Sequence, residues 1–307
     1  MRHLLCFLVC IVTLTTWGQK GVWRDYYSYA NAVKVADAGD KIFCATSGGL
    51  FYQDIQDKSL HKISTENGLS DIGIQTIAWN STGKILLVAY ENSNVDLIRE
   101  NGVTNLSDIK RKLLSGDKKI YSALFNGNSA YLACGFGIVE IDLVKSEIKG
   151  TYIIGQNGNE VKVFDLETDG EYLYAATETG ILKANLGNVN LMDYRNWQRE
   201  TTIPHYSEKF SHLARFNNRM IAVYTRDQWD GDEAYLQEGG QWRRVLSDIG
   251  YFTQIQTNLK YLTVTDRENI TVYDTSLSKQ GKLTQYLLGN QTISPIRPQD
   301  AVFSTDG

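Results

Sequence analysis

One unit recurs along this chain: an apolar strand ending in Ala and a small residue, a short loop, then Gly and a second apolar strand. It appears as Ile42-Phe43-Cys44-Ala45-Thr46 leading to Gly49-Leu50-Phe51-Tyr52, and as Leu86-Leu87-Val88-Ala89-Tyr90 leading to Asn94-Val95-Asp96-Leu97. It returns as Tyr131-Leu132-Ala133-Cys134 leading to Gly137-Ile138-Val139, and as Leu173-Tyr174-Ala175-Ala176-Thr177 leading to Gly180-Ile181-Leu182. The anchors Gly49, Asn94, Gly137 and Gly180 lie 45, 43 and 43 residues apart, a spacing that belongs to propeller blades. Two looser copies follow, Met220–Tyr224 leading to Ala234–Leu236 and Tyr261–Val264 leading to Ile270–Tyr273.

Each pair is flanked by further strand-like stretches. An inner one precedes it: Val33–Ala36, Ile74–Trp79, Tyr121–Phe125, Val161–Leu166, Leu213–Phe216 and Phe252–Gln256. An outer one follows: Leu60–Ile63, Gly102–Leu106, Ile148–Ile153, Trp197–Thr201, Trp242–Leu246 and Leu283–Leu287. Four strands per repeat with no helical periodicity between them predict an all-β fold, a β-propeller of four-stranded blades. Six blades are complete. Ala301-Val302-Phe303-Ser304-Thr305-Asp306-Gly307 reads as the first strand of a seventh, so a seven-bladed ring truncated at its C-terminus is expected. An open solenoid of repeats fits less well, because the period is too long and each repeat has four strands.

The 26 Gly against 3 Pro agree with tight hairpin turns. The net charge of −4 gives no reason to expect nucleic acid as a partner. Residues 1–19 read as an export signal: Arg2 and His3 precede an apolar run from Leu4 to Leu14, too short to span a bilayer, with cleavage near Gly18–Gln19. Phe7-Leu8-Val9 lacks the small residues that would make Cys10 a lipid anchor. The mature chain, residues 20–307, is then one propeller domain, exported and without a transmembrane segment. Its Cys44 and Cys134 sit in strands of blades that are not neighbours, beyond disulfide reach, and read as small buried apolar residues.

The chain carries no G-x-S-x-G elbow, no H-E-x-x-H pair and no phosphate-binding glycine loop. Mature histidines are His61, His205 and His212, and no Cys/His cluster has metal-ligand spacing. No catalytic residue, metal or cofactor is therefore expected, and the chain reads as a binding protein rather than an enzyme.

In a propeller, the loops between second and third strands share one face with the linkers between blades, which makes that face the usual binding surface. Three segments there stand out. Thr225–Glu233 carries Trp229 among Asp227, Asp230 and Asp232, the composition of a sugar platform; a solvated loop and a calcium site are the alternatives, although the spacing misses the D-x-D-x-D-G template. Lys110, Arg111 and Lys112, with Lys118 and Lys119, form the densest basic run and would attract phosphate or carboxylate, unless Asp108 and Asp117 cancel it on a solvated turn. Asn67-Gly68-Leu69-Ser70-Asp71 is a turn cluster with a structural reading.

Gly21-Val22-Trp23, Tyr26 and Ser28-Tyr29, then Asn67–Asp71, Val88-Ala89-Tyr90 and Asn92–Ile98 resemble the first propeller of the PorZ family, surface components of the type IX secretion system of Bacteroidetes. The likeness runs over the mature chain and is most specific in blades one and two. It implies a larger protein, with a second propeller and a C-terminal secretion-signal domain, in the attachment complex at the outer-membrane surface. There it would bind anionic lipopolysaccharide and present it to the sortase PorU. No residue-level binding motif carries over, so the candidate residues rest on the loop argument alone. Repeats ending in Gly-Leu-Phe or Gly-Ile also resemble the periplasmic sensor propellers of hybrid two-component regulators, and a purely structural docking propeller is a third reading.

Overall fold

The computed structural model describes residues 28–301, except 30, 114, 115, 188, 227–230, 285, 289, 290 and 294–299. The first blade is β1 (Ala32–Asp37), β2 (Lys41–Thr46), β3 (Leu50–Asp54) and β4 (Leu60–Ile63). The second is β5 (Ile74–Asn80), β6 (Ile85–Tyr90), β7 (Val95–Arg99) and β8 (Gly102–Leu106), followed by a one-turn helix α1 (Asp108–Arg111). The third is β9 (Ile120–Asn126), β10 (Ser129–Cys134), β11 (Gly137–Asp142) and β12 (Glu147–Tyr152), and the fourth is β13 (Val163–Thr168), β14 (Tyr172–Thr177), β15 (Gly180–Asn185) and β16 (Gln198–Arg199). The fifth is β17 (Phe210–Phe216), β18 (Arg219–Tyr224), β19 (Glu233–Glu238) and β20 (Gln241–Val245), and the sixth is β21 (Gln254–Thr257), β22 (Leu262–Thr265), β23 (Ile270–Tyr273) and β24 (Lys279–Leu283). Every blade is an antiparallel meander in chain order, and a separate hairpin pairs β25 (Tyr286–Leu288) with β26 (Gln291–Ile293).

The burial pattern explains the apolar runs. β6 is buried along its whole length, because its two faces meet neighbouring blades, whereas β8 at the rim is mostly exposed. Five apolar clusters fill the spaces between consecutive blades, from blades one and two through to five and six. Between blades six and one the described residues meet differently. The Asp300 carboxylate accepts the Val35 N–H at 2.9 Å and the Gln256 amide at 3.0 Å, with the Lys34 ammonium 3.6 Å away.

Six blades stand as expected. A seventh is not seen among the described residues; residues 302–307, the remainder of the strand expected from Ala301 to Gly307, lie outside them, as do residues 1–19, where an export signal was expected. One strand moves. The outer strand of blade six is Lys279–Leu283 rather than Leu283–Leu287, because Asp274 accepts the N–H groups of Ser276 and Ser278 and turns the chain at once. Cys44 and Cys134 are free and buried in separate blades. Among the described residues no helix is long and apolar enough to cross a membrane.

Five of the six inner strands carry a β-bulge at the same place. The pairing slips between Ala32 and Lys34, Ile74 and Thr76, Val163 and Asp165, Phe210 and His212, and opposite Ala133–Cys134, where Tyr121 is the extra residue. A bulge re-aims a side chain. In these five blades it lies at the mouth of the central channel, on the face that carries the interblade linkers, called the upper face below.

Candidate functional site

The six inner strands enclose a channel of about 1070 Å³ that opens among the turns joining first to second strands, on the lower face. Two of its acidic residues, Asp165 and Glu167, hold blades together. Neighbouring inner strands share no ladder, so backbone N–H groups facing the channel need other acceptors. Asp165 accepts the Leu213 N–H and Glu167 the Arg215 N–H, each at 3.0 Å, tying blade four to blade five. Burial, reinforced by the nearby Asp165 charge, pushes the Glu167 carboxyl up to about 7. His212 joins blade five to blade six: its Nε2 lies 3.1 Å from the Thr253 carbonyl and its Nδ1 2.7 Å from Ser211 Oγ. Burial holds its pKa below the ordinary imidazole value. That geometry makes Nε2–H the donor to Thr253 and Nδ1 the acceptor from Ser211, a neutral ring with both nitrogens used.

On the upper face, the Asn67–Asp71 turn and the basic linker belong to one network. Asp96 is fully buried and accepts the Tyr90 hydroxyl at 2.5 Å, the Ser70 N–H at 2.8 Å and the Asn105 amide at 2.8 Å. Asp71 accepts Asn92 Nδ2 and the Lys110 ammonium, both at 2.6 Å, and these donors hold its carboxyl below the usual range despite the opposing effect of burial. Lys118 donates to the carbonyls of Lys110 and Lys112 at 2.8 and 3.2 Å, where the end of α1 leaves acceptors unsatisfied. Arg111 is exposed and 3.6 Å from Asp108. Lys112 lines a cavity of about 320 Å³ floored by Ile109, Phe136, Val139 and Ile148. The basic run is thus divided: Lys110 and Lys118 fasten the linker, while Arg111 and Lys112 face outward.

The blade-five loop was expected to present Trp229 with Asp227 and Asp230. These three lie outside the described residues. Asp232 turns inward: it is buried, accepts the Phe252 N–H at 2.9 Å and the Arg226 N–H at 3.3 Å, and burial raises its carboxyl pKa. It anchors the end of the loop. Among the described residues no group of three or more His, Cys, Asp or Glu side chains is placed to hold a metal.

The structure also assembles a group that the sequence reading left scattered. The His205 ring stacks on Tyr224 at 4.1 Å, with Nδ1 3.5 Å from Glu208 and Nε2 3.6 Å from Glu233. Glu233 also receives Arg226 at 2.9 Å, Arg244 at 3.3 Å and the Tyr235 hydroxyl. These residues come from a linker, three strands and a loop, and no spacing in the chain announces them.

Comparison with known proteins follows the same architecture. A family model described as the N-terminal β-propeller domain of PorZ, of the type IX secretion system, matches residues 42–198, from the second strand of blade one into the last strand of blade four. Among solved structures, the chain is similar in fold to one described as PorZ, an essential bacterial surface component of the type-IX secretion system of Porphyromonas gingivalis. The TM-score is 0.72 at 22% identity, over 86% of this chain and 34% of that one. This chain therefore spans about a third of the length of that protein. No curated protein sequence matches it.

Proposed function

The chain belongs to the family of N-terminal β-propeller domains of PorZ, and from that membership we propose that it works at the outer-membrane surface as a non-enzymatic part of the type IX attachment complex. In this reading an export signal at residues 1–19 delivers it, and it binds anionic lipopolysaccharide and presents it to the PorU sortase for linkage to secreted cargo. The observation that carries the reading is the family match across blades one to four. The rigid scaffold adds support, since five buried interblade clusters hold the loops of one face in fixed relation. The match falls on a secretion component, which favours this reading over the sensor propeller of a two-component regulator.

Deleting the gene in the producing bacterium tests it. Cargo proteins should then reach the surface without their lipopolysaccharide anchor, and the chain should co-purify with the sortase from wild-type membranes. Cargo that stays anchored in the deletion strain would refute the role.

A further inference from the structure

Three lysines occupy the same position in three successive blades. Lys119, Lys162 and Lys209 each immediately precede the inner strand of their blade, and each carbonyl accepts one N–H from the next loop of that blade: Gly135, Glu178 and Thr225, at 3.0, 3.2 and 3.0 Å. They therefore stand side by side around the upper mouth of the channel, just above its wall residues Ser122, Asp165 and Leu213. The bulges next to them turn two aromatic rings into the same arc. Tyr121 and Phe164, each partly exposed, meet edge to face with centroids 5.2 Å apart. Lys119 Nζ lies 5.5 Å from the Tyr121 centroid, and Lys209 Nζ lies 5.3 Å from that of Phe164.

We propose that this arc is a binding site for an anionic glycan, a sugar chain bearing phosphate or carboxylate groups. It places the lipopolysaccharide-binding step of the function proposed above and rests on that reading. An ammonium carries three N–H donors, the complement of a phosphate or carboxylate group. Ring faces suit the C–H face of a sugar. Two carboxylates on the rim complete the chemistry. Asp117 accepts the Lys119 N–H and the Tyr121 hydroxyl, both at 2.8 Å, and is held below the usual carboxylate range by these bonds and by the Lys162 and Lys119 charges, against the effect of burial. Glu178 accepts the Lys162 N–H at 3.0 Å. A carboxylate whose oxygens have spare lone pairs accepts sugar hydroxyls and repels a dense polyanion. That combination selects a hydroxyl-rich chain with scattered charges over nucleic acid.

The test compares the full chain with the triple variant K119Q/K162Q/K209Q and with F164A, using a phosphorylated dextran oligosaccharide, the unmodified oligosaccharide, inorganic phosphate and purified anionic lipopolysaccharide. Thermal unfolding establishes that each variant is folded, and F164A keeps the experiment decisive if the triple variant is not. The wild-type chain should bind phosphorylated dextran in a salt-sensitive manner and the unmodified sugar much more weakly. The triple variant should lose about tenfold or more in affinity, as loss of charge-assisted contacts implies. F164A should weaken binding to the phosphorylated sugar and leave that to inorganic phosphate unchanged. If anionic lipopolysaccharide binds wild type and folded variants equally, the arc is not the site, although the lipopolysaccharide reading survives. If phosphorylated dextran binds through the arc and lipopolysaccharide does not bind at all, the arc stands and that reading falls. Equal affinity for phosphorylated sugar and inorganic phosphate would reduce the arc to a simple anion site and overturn the glycan proposal.

Discussion

Glu167, which ties blade four to blade five, and His212, which ties blade five to blade six, give stability opposite dependences on pH. Glu167 titrates near 7 in the fold, above the ordinary carboxylate value of about 4.5. The folded state therefore binds the proton more tightly, and stability falls as pH rises from about 4.5 to 7, by on the order of 3 kcal/mol. E167Q should flatten that slope in urea unfolding measured between pH 5 and 8; an unchanged slope would place the titration elsewhere. The His212 pKa is depressed, so its contribution is present above the ordinary imidazole value and lost as pH falls through the folded one. H212N should make unfolding less acid-sensitive over the same range. Tyr90 offers a third measurement. Y90F removes a donor from the fully buried Asp96 carboxylate and should cost about 1–3 kcal/mol in chemical denaturation. A change below a few tenths would mean that Ser70 and Asn105 alone satisfy that carboxylate.

Among elements, the blades were legible because a strand with both faces covered must be apolar along its length, as β6 is throughout and β10 is from Ala130 to Cys134. The glycine anchors were legible for a stricter reason. A Cβ on Gly137 would stand 2.2 Å from the Tyr152 carbonyl oxygen, and one on Gly180 equally close to that of Tyr206, with φ at +142° and +122°. G137A and G180A should each destabilise the fold by more than about 1 kcal/mol in thermal or urea unfolding, through clash and backbone strain together. In blade two the anchor is Asn94, and the left-handed turn is taken one residue earlier by Ser93, at φ +66°. The bulges were invisible, because one extra residue does not disturb a period read over some forty. The displaced strand β24 escaped for a related cause. Its residues are all exposed, so no apolar pattern marks it, and the Asp274 turn decides where it begins.

At the scale of the whole molecule, the chain order hides what the ring brings together. Lys119, Lys162 and Lys209 are separated by 43 and 47 residues, nearly one blade each. Aligning the repeats puts them in one column, yet only the circular arrangement of blades turns that column into an arc around the channel. The basic run at residues 110–119 drew attention as a cluster because its members are close in sequence. In the fold, Lys110 and Lys118 are committed to Asp71 and to the end of α1, and Lys119 stands apart at the mouth. Proximity along the chain was the weaker guide, and equivalence between repeats the stronger one. The claim that joins these scales is that a PorZ-family propeller receives an anionic glycolipid. Equilibrium titration of the purified chain with anionic lipopolysaccharide, beside a preparation lacking the anionic groups, tests it most directly. Saturable binding of the anionic form that weakens with added salt is the predicted result. Failure of the folded chain to saturate with it, or equal binding of both preparations at all salt concentrations, would contradict the account.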